Sequence, residues 1–292
     1  MGRKVVTPLR YPGGKSQLTN FVTMIMELNH LYDNEIHKPH INTLVEPFAG
    51  GCGLSMELLS NGYVDKLIIN DFDRGVYAFW KTLFTDTEWL IDTIWKSPIT
   101  IDERIKHKKI YNDRHTADIR SLAFAVLFLN RVNRSGILSG GVIGGNDQSG
   151  KYKMDCRFNR ESIIGKITNL AKYKDSVDVY NMTAIDFIRK FSNVADSLWF
   201  LDPPYYVKGA ELYKEHMSGL DHKELSEVIK EELKTSKWLL TYDDCDKIRE
   251  LYNDCSSTDI ALNYSAAVHR KQSEFLVYGG LVIPTFKIIN DE

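Results

Sequence analysis

An α/β fold, a mostly parallel sheet covered by helices, is what this 292-residue sequence predicts, and three observations predict it. Short apolar runs alternate with stretches of helical length and spacing. The apolar run at 44–48 leads through glycines into a helical segment, and the run at 198–202 ends on two prolines that cannot continue an interior strand. Composition is ordinary for a globular protein, with 43% hydrophobic and 26% charged residues and a formal net charge of −2, which excludes disordered and collagen-like chains. A chain of this size buries roughly 75% of its unfolded surface, so no disulfide or metal staple is required.

Taken in order, the predicted strands are Leu44–Phe48, Lys66–Asp71, Val177–Met182, Leu198–Asp202, Trp238–Tyr242 and Phe275–Tyr278. Leu54–Ser60 and Leu220–Leu233 read as helices between them, the latter with Asp221 in its first turn, where a carboxylate suits the positive helix end. Residues 75–172 break the βα rhythm with helical patterns, the glycine-rich SGILSGGVIGGNDQSGKYK and a basic segment. This interval reads as an inserted second domain. The division is then 1–74 with 173–292 as one discontinuous domain, and 75–172 as the other. Within the insert, the glycines and the Asn-Asp-Gln-Ser-Gly stretch predict an irregular hairpin or mobile loop.

The near-zero net charge hides an uneven distribution. Residues 131–174 carry nine Lys/Arg against Asp147, Asp155 and Glu161, and residues 1–20 carry Arg3, Lys4, Arg10 and Lys15 with no acid. Arg131, Arg134, Lys151, Lys153 and Arg157 tilt the glycine-rich segment towards contact with a polyanion. The four cysteines, at 52, 156, 245 and 255, form no CxxC pair, which predicts free thiols in a reducing compartment. The longest apolar run, Leu122–Leu129, is far shorter than a membrane span, and the start lacks a signal-peptide core. A cytoplasmic protein without membrane contact is expected. His37 and His40 lack a third ligand and read as surface residues, so no metal is expected.

Three short motifs carry chemistry. VEPFAGGCGLSMEL, at 45–58, is a strand, glycine turn and helix suited to a nucleotide-type cofactor, with Asp71 placed to accept from ribose hydroxyls. It is not a dinucleotide fingerprint, because Met56 stands where the third glycine belongs. SLWFLDPPYY, at 197–206, delivers an acid, two prolines and two tyrosines to the strand edge where open α/β sheets bind ligands. A carboxylate, a proline carbonyl and a tyrosine ring suit a planar group bearing an exocyclic amine. LRYPGGKSQL, at 9–18, fails as a phosphate loop because Leu9 occupies the position of its first glycine.

RYPGGK at 10–15, EPFAGG at 46–51, NDFD at 70–73, LNRVNRSG at 129–136 and DPPYY at 202–206, in this order, resemble the Dam-type DNA adenine N6-methyltransferases in the alpha arrangement of motifs. The resemblance implies a Rossmann-like S-adenosylmethionine-dependent methyltransferase fold, with helices on both sheet faces and a mainly helical target-recognition insert carrying the glycine-rich hairpin. It implies S-adenosylmethionine as donor and double-stranded DNA as substrate, and it admits a cognate restriction endonuclease as a further partner. Cofactor-binding positions carried over are Tyr11, Lys15, Glu46, Phe48, Gly50, Asp71, Thr183 and Asp202. Asp202, Pro203 and Tyr205 become catalytic. Arg131, Arg134, Ser135, Lys151 and Lys153 face DNA. Alternatives are amino-methyltransferases acting on cytosine N4, RNA or protein, disfavoured by the leading aspartate, and a non-catalytic DNA-binding regulator, disfavoured by intact Asp202, Tyr205 and Lys15.

Overall fold

The first apolar run becomes a strand because Thr43–Glu46 (β1) can be buried on both faces, and it is flanked on each side by parallel neighbours. The other strands of the same sheet are β2 (Lys66–Asn70), β3 (Val177–Tyr180), β4 (Ser197–Leu201), β5 (Lys237–Asp243), β6 (Ser256–Tyr264) and β7 (Arg270–Gly279), while Tyr32–Asp33 and Lys38–Pro39 pair in a separate two-stranded antiparallel ribbon. Strands β1 to β7 form one seven-stranded sheet in the order β3-β2-β1-β4-β5-β7-β6, parallel except for β7, which runs antiparallel to both β5 and β6. This computed structural model describes residues 7–11, 15–33, 35, 38–206, 217–264 and 270–284. The six predicted strands are all present, shifted by a residue or two at their ends and, for the last, longer. β6 is additional. Its residues 256–259 are all exposed at the sheet edge, so the apolar alternation that marks a half-buried strand is missing.

The pleat divides the core in two. Leu44, Leu67, Ile69, Leu198, Phe200, Leu239 and Leu276 point to one face, and Val45, Ile68, Trp199, Leu201, Leu240 and Val277 to the other. The second face is covered by α8 (Ala184–Phe191), α9 (Gly219–Glu232) and α10 (Asp246–Leu251) through residues such as Phe187, Leu225, Ile229 and Ile248. The first is covered by α1 (Thr19–Leu28), α2 (Gly53–Ser60), α3 (Arg74–Thr85), α4 (Thr87–Lys96), α5 (Ile101–Asn112), α6 (Ile119–Val132) and α7 (Arg160–Ala171). Side chains cap the helix N-termini where the sequence supplies them: Asp73, Asp118, Asn159 and Thr183 each accept from a first-turn N–H, and Ser218 forms a capping box with Asp221.

Residues 75–172, expected as an inserted domain, contribute α3–α7 to the same buried cluster as the sheet face. The apolar run Leu122–Leu129 is buried throughout, so it is the central helix of that layer. Among the described residues no helix is long and apolar enough to cross a membrane. The glycine-rich segment takes the form of successive turns closed by one antiparallel bridge, Asn133 with Val142. Side chains brace it. Asn133 donates to the Ile137 and Leu138 carbonyls at 3.0 Å and accepts from Arg104 Nε at 2.8 Å, while Gln148 Nε2 donates to the Ile143 and Gly145 carbonyls.

Candidate active site

The order of the sheet reverses between β1 and β4, and the chain leaves both strands at the same edge. A crevice at such a switch point is where open α/β sheets hold ligands. The glycine turn after β1 and the Asp-Pro-Pro-Tyr segment after β4 therefore meet there, joined by residues from β2, β5 and β7.

The turn after β1 is held from below and from the side. Gly50 has φ +46°, and its N–H donates to Asp71 Oδ2 at 2.8 Å while its carbonyl accepts from Trp80 Nε1 at 2.9 Å. A Cβ on Gly50 would lie 2.8 Å from the Tyr11 ring and one on Gly51 2.7 Å from Tyr11 Cβ, so Tyr11 lies against the turn at a distance only glycine permits. Burial raises the Asp71 carboxyl to about 7, with Asp73 adding to the shift. Glu46 lies under the turn, buried, accepting from the Ser55 hydroxyl and from Cys52 Sγ; burial raises it to about 8. Asn70 is fully buried and ties three strand ends together, donating to the Pro47 and Met182 carbonyls and accepting from the Met182 N–H. Phe48 is half-buried beside this network.

Asp202 projects from the end of β4. Its Oδ1 accepts from Thr241 Oγ1 of β5 at 2.8 Å and lies 2.9 Å from Lys15 Nζ. Lys15 is 4% exposed, and its ammonium also donates to the Tyr205 hydroxyl at 3.0 Å and lies 3.5 Å from Glu274 Oε1 of β7. The Tyr205 hydroxyl in turn donates to Glu274. Glu274 reaches the cluster because its backbone pairs with Asp243 at the same edge of β5. Pro203 is buried between Asp202 and the solvent-facing end of the motif.

The predicted site residues thus separate into groups. Lys15, Asp202 and Tyr205 form one hydrogen-bonded cluster, and Tyr11, Glu46, Gly50 and Asp71 another around the turn. Thr183 caps α8: its hydroxyl accepts from the Asp186 N–H and donates to the Asp186 carboxylate. Arg134, Ser135, Lys151 and Lys153 are exposed, with Ser135 at φ +55°. Arg131 is turned inward, donating to the carbonyls of Pro8 and Arg157, and burial lowers it to about 10. Its guanidinium braces the segment before Arg10. His37 lies outside the described residues, and His40 Nε2 is 3.9 Å from Asp33 Oδ2.

Three contributors escape a reading of the sequence. Thr241 and Glu274 are polar residues inside apolar strands, WLLTY and EFLVY, and that mismatch is their only signal. Asn130, fully buried on α6, accepts from the Arg10 N–H at 2.7 Å and donates to the carbonyls of Arg10 at 2.7 Å and Gly136 at 2.9 Å. It fastens the segment leading to Tyr11 and Lys15 against the basic loop. A Cβ on Gly136 would overlap the Arg10 carbonyl, so that glycine is fixed by the same contact.

Comparisons with known proteins identify the family of the chain. The family model of the D12 class N6 adenine-specific DNA methyltransferases matches residues 11–266. The type II methyltransferase M.MjaIII of Methanocaldococcus jannaschii is 23% identical over 210 residues, covering 68% of each chain. Among solved structures, protein LPL1258 from Legionella pneumophila aligns over 97% of this chain and 87% of its own at 11% identity, with a TM-score of 0.33 that is too low to bear on fold or function. With a family match over most of its length, on a mostly parallel α/β sheet, the chain belongs to the D12 class N6 adenine-specific DNA methyltransferases.

Proposed function

We propose that this protein transfers a methyl group from S-adenosylmethionine to N6 of an adenine flipped out of double-stranded DNA. The observation that carries the reading is the Asp-Pro-Pro-Tyr segment beside the glycine turn, with the Asp202 carboxylate held by Thr241 and Lys15. The donor set fits a cationic nucleoside cofactor. Asp71 presents a carboxylate at the position the family resemblance gives to the ribose, the turn is closed to any side chain by Tyr11, and Asp202 adds a second carboxylate at the end of the neighbouring strand. Tyr11, Lys15, Phe48, Gly50, Asp71 and Asp202 would hold the cofactor, with Glu46 supporting the turn from below and the Thr183 segment closing the adenine side. When bound, S-adenosylmethionine supplies an electrophilic methyl group.

The protein's own residues do the rest. The N6 lone pair is delocalised into the adenine ring and is a weak nucleophile. The Asp202 carboxylate and the Pro203 carbonyl accept the two N6 hydrogens, which favours a tetrahedral nitrogen and stabilises the positive charge that develops there; as the N–C bond forms the methyl–sulfur bond would break to leave a neutral thioether, and the methylated nitrogen would lose one of its two protons to solvent. Holding the amine in line with the donor supplies a further part of the rate. A base inside the duplex is out of reach, so it is extruded, and the Tyr205 ring, whose hydroxyl is anchored, stacks on it.

Residues 75–172 serve target recognition in this reading, with Arg134, Ser135, Lys151 and Lys153 on the DNA backbone. The likeness to a type II methyltransferase supports a modification role alongside a cognate restriction endonuclease. The test is to incubate the protein with labelled S-adenosylmethionine and unmethylated genomic DNA, digest the DNA and identify the nucleoside by mass spectrometry. Labelled N6-methyladenine is the expected product. N4-methylcytosine, or no methylated base, would overturn the reading.

A further inference from the structure

The charged cluster at the end of β4 contains one group that the reaction as described leaves unused. Glu274 is 2% exposed on β7, 72 residues along the chain from Asp202, yet it contacts two of the residues that serve the reaction. Its Oε1 accepts from the Tyr205 hydroxyl and lies 3.5 Å from the Lys15 ammonium. The same ammonium lies 2.9 Å from Asp202 Oδ1, and Thr241 donates to that same oxygen at 2.8 Å. Both donors therefore fall on one oxygen of Asp202. The Asp202 side chain is 21% exposed, against 3% for Lys15 and 3% for Glu274. The open side of the cluster is the Asp202 side.

We propose that Glu274 is a positioning residue for methyl transfer: it shares the Lys15 ammonium with Asp202 and anchors the Tyr205 hydroxyl, leaving the second Asp202 oxygen for the substrate amine. This rests on the adenine N6 reading given above. Two physical consequences support the role. A buried ammonium with a single carboxylate partner is drawn fully onto it, and Asp202 would then spend its charge on Lys15. With Glu274 present the trio carries one cation and two carboxylates, so a net negative charge faces the nitrogen on which positive charge develops. In addition, a tyrosine held by its hydroxyl loses less freedom when a base stacks on its ring.

The test uses the full-length protein with Glu274→Gln, which keeps the volume and an acceptor oxygen for Tyr205 while removing the charge. The single-turnover methylation rate on DNA, at saturating S-adenosylmethionine, is expected to fall roughly 10–100-fold. Dissociation constants for cofactor and DNA are expected to change less than the rate, since Glu274 acts only through Lys15 and Tyr205. A purely structural ion pair predicts the opposite split: lower thermal stability or weaker cofactor binding with an unchanged rate at saturation, and that result overturns the proposal. Should Glu274→Gln not fold, Tyr205→Phe keeps the ring and removes only the anchored hydroxyl. It is expected to slow the same step severalfold and to change the fluorescence of 2-aminopurine placed at the target position; a wild-type rate and signal overturn the proposal. Wild-type protein assayed alongside separates the two claims, because an absence of N6-methyladenine there is a failure of the reading and not of the role of Glu274.

Discussion

The Gly50 N–H donates to Asp71 Oδ2 at 2.8 Å, joining the turn after β1 to the end of β2. The other oxygen of Asp71 accepts from the Asp73 N–H at 2.9 Å. One carboxylate thus shapes the glycine turn and the loop that leads into α3, at the position where the family resemblance puts the cofactor ribose.

Asp71→Asn keeps one acceptor oxygen and loses the charge, so the turn is expected to persist while cofactor affinity falls roughly tenfold, the loss for one hydrogen bond to a charged group. Asp71→Ala leaves both N–H groups without their acceptor and is expected to cost about 1–3 kcal/mol of stability as well. Calorimetric titration with S-adenosylmethionine and urea unfolding distinguish the two effects. Unchanged affinity in Asp71→Asn would remove the ribose role.

Glu46 gives a pH dependence whose sign is fixed. Burial raises its carboxyl from an ordinary 4.5 to about 8, so across that interval the folded protein holds a proton that the unfolded chain releases. Its contribution to stability is complete below the unfolded value and is lost as pH rises through about 8. The melting temperature is expected to decline from about pH 4.5 to about pH 8, and Glu46→Gln, which cannot ionise, is expected to decline less. Some slope remains in the variant because Asp71, raised to about 7, titrates in the same direction. Parallel curves for the two proteins would show that Glu46 is not a source of the dependence.

Much of this site is legible in the sequence, and the unread part has a common cause. Glu46, Gly50, Asp71, Asp202 and Tyr205 sit in or just past short apolar runs, where a turn or proline pair breaks a strand and local chain chemistry is enough to mark them. Glu274, Thr241 and Asn130 act across 69, 39 and 120 residues of chain respectively. No local pattern carries such pairings; they exist only once β5 and β7 lie beside β4, and α6 beside the first residues. β6 is hidden for a related reason, since an exposed edge strand lacks the burial that imposes alternation. Arg131 shows what the sequence cannot tell: a basic residue in a basic segment reads as a phosphate ligand, and in the fold its guanidinium donates to the Pro8 and Arg157 carbonyls.

Asp202→Asn keeps the shape of the pocket and an acceptor for Thr241, but lowers the electron density offered to the amine and leaves Lys15 with Glu274 as its carboxylate partner. Methyl transfer is expected to fall at least about 100-fold, the range found when one electrostatic contact to a transition state is removed. DNA binding, followed by fluorescence anisotropy, is expected to remain, and cofactor affinity, followed by calorimetry, is expected to fall less than the rate, because the other cofactor-side residues are intact. A variant that methylates at the wild-type rate would exclude Asp202 from the chemistry.

Asn130 connects the basic loop to the cofactor side through three hydrogen bonds with Arg10 and Gly136. Asn130→Ala leaves these buried backbone groups unsatisfied and is expected to cost about 1–3 kcal/mol. It should also weaken cofactor and DNA binding together, because Tyr11 and Lys15 follow Arg10 while Arg134 and Ser135 precede Gly136. A variant that loses stability but binds both ligands as the wild type does would show that the clamp serves folding alone.

Lys151 and Lys153 stand exposed on the glycine-rich turns, and Lys153 Nζ donates only to the neighbouring Gln148 carbonyl among the described residues, at 2.5 Å. Nothing in the core depends on their charge, so replacing both with glutamine is expected to leave the melting temperature unchanged. Every lysine withdrawn from a phosphate makes the slope of log K against log salt concentration shallower by about 0.9 for duplex DNA. The double variant is therefore expected to bind DNA more weakly at low salt and to show a slope shallower by up to roughly 1.8. The weakening should be similar for methylatable and unrelated duplexes, because phosphate recognition positions the duplex without reading its bases. An unchanged slope would place these lysines away from the DNA and shift the backbone recognition to Arg134 and the segment around Ser135. Weakening confined to the methylatable duplex would instead assign the turns to base recognition.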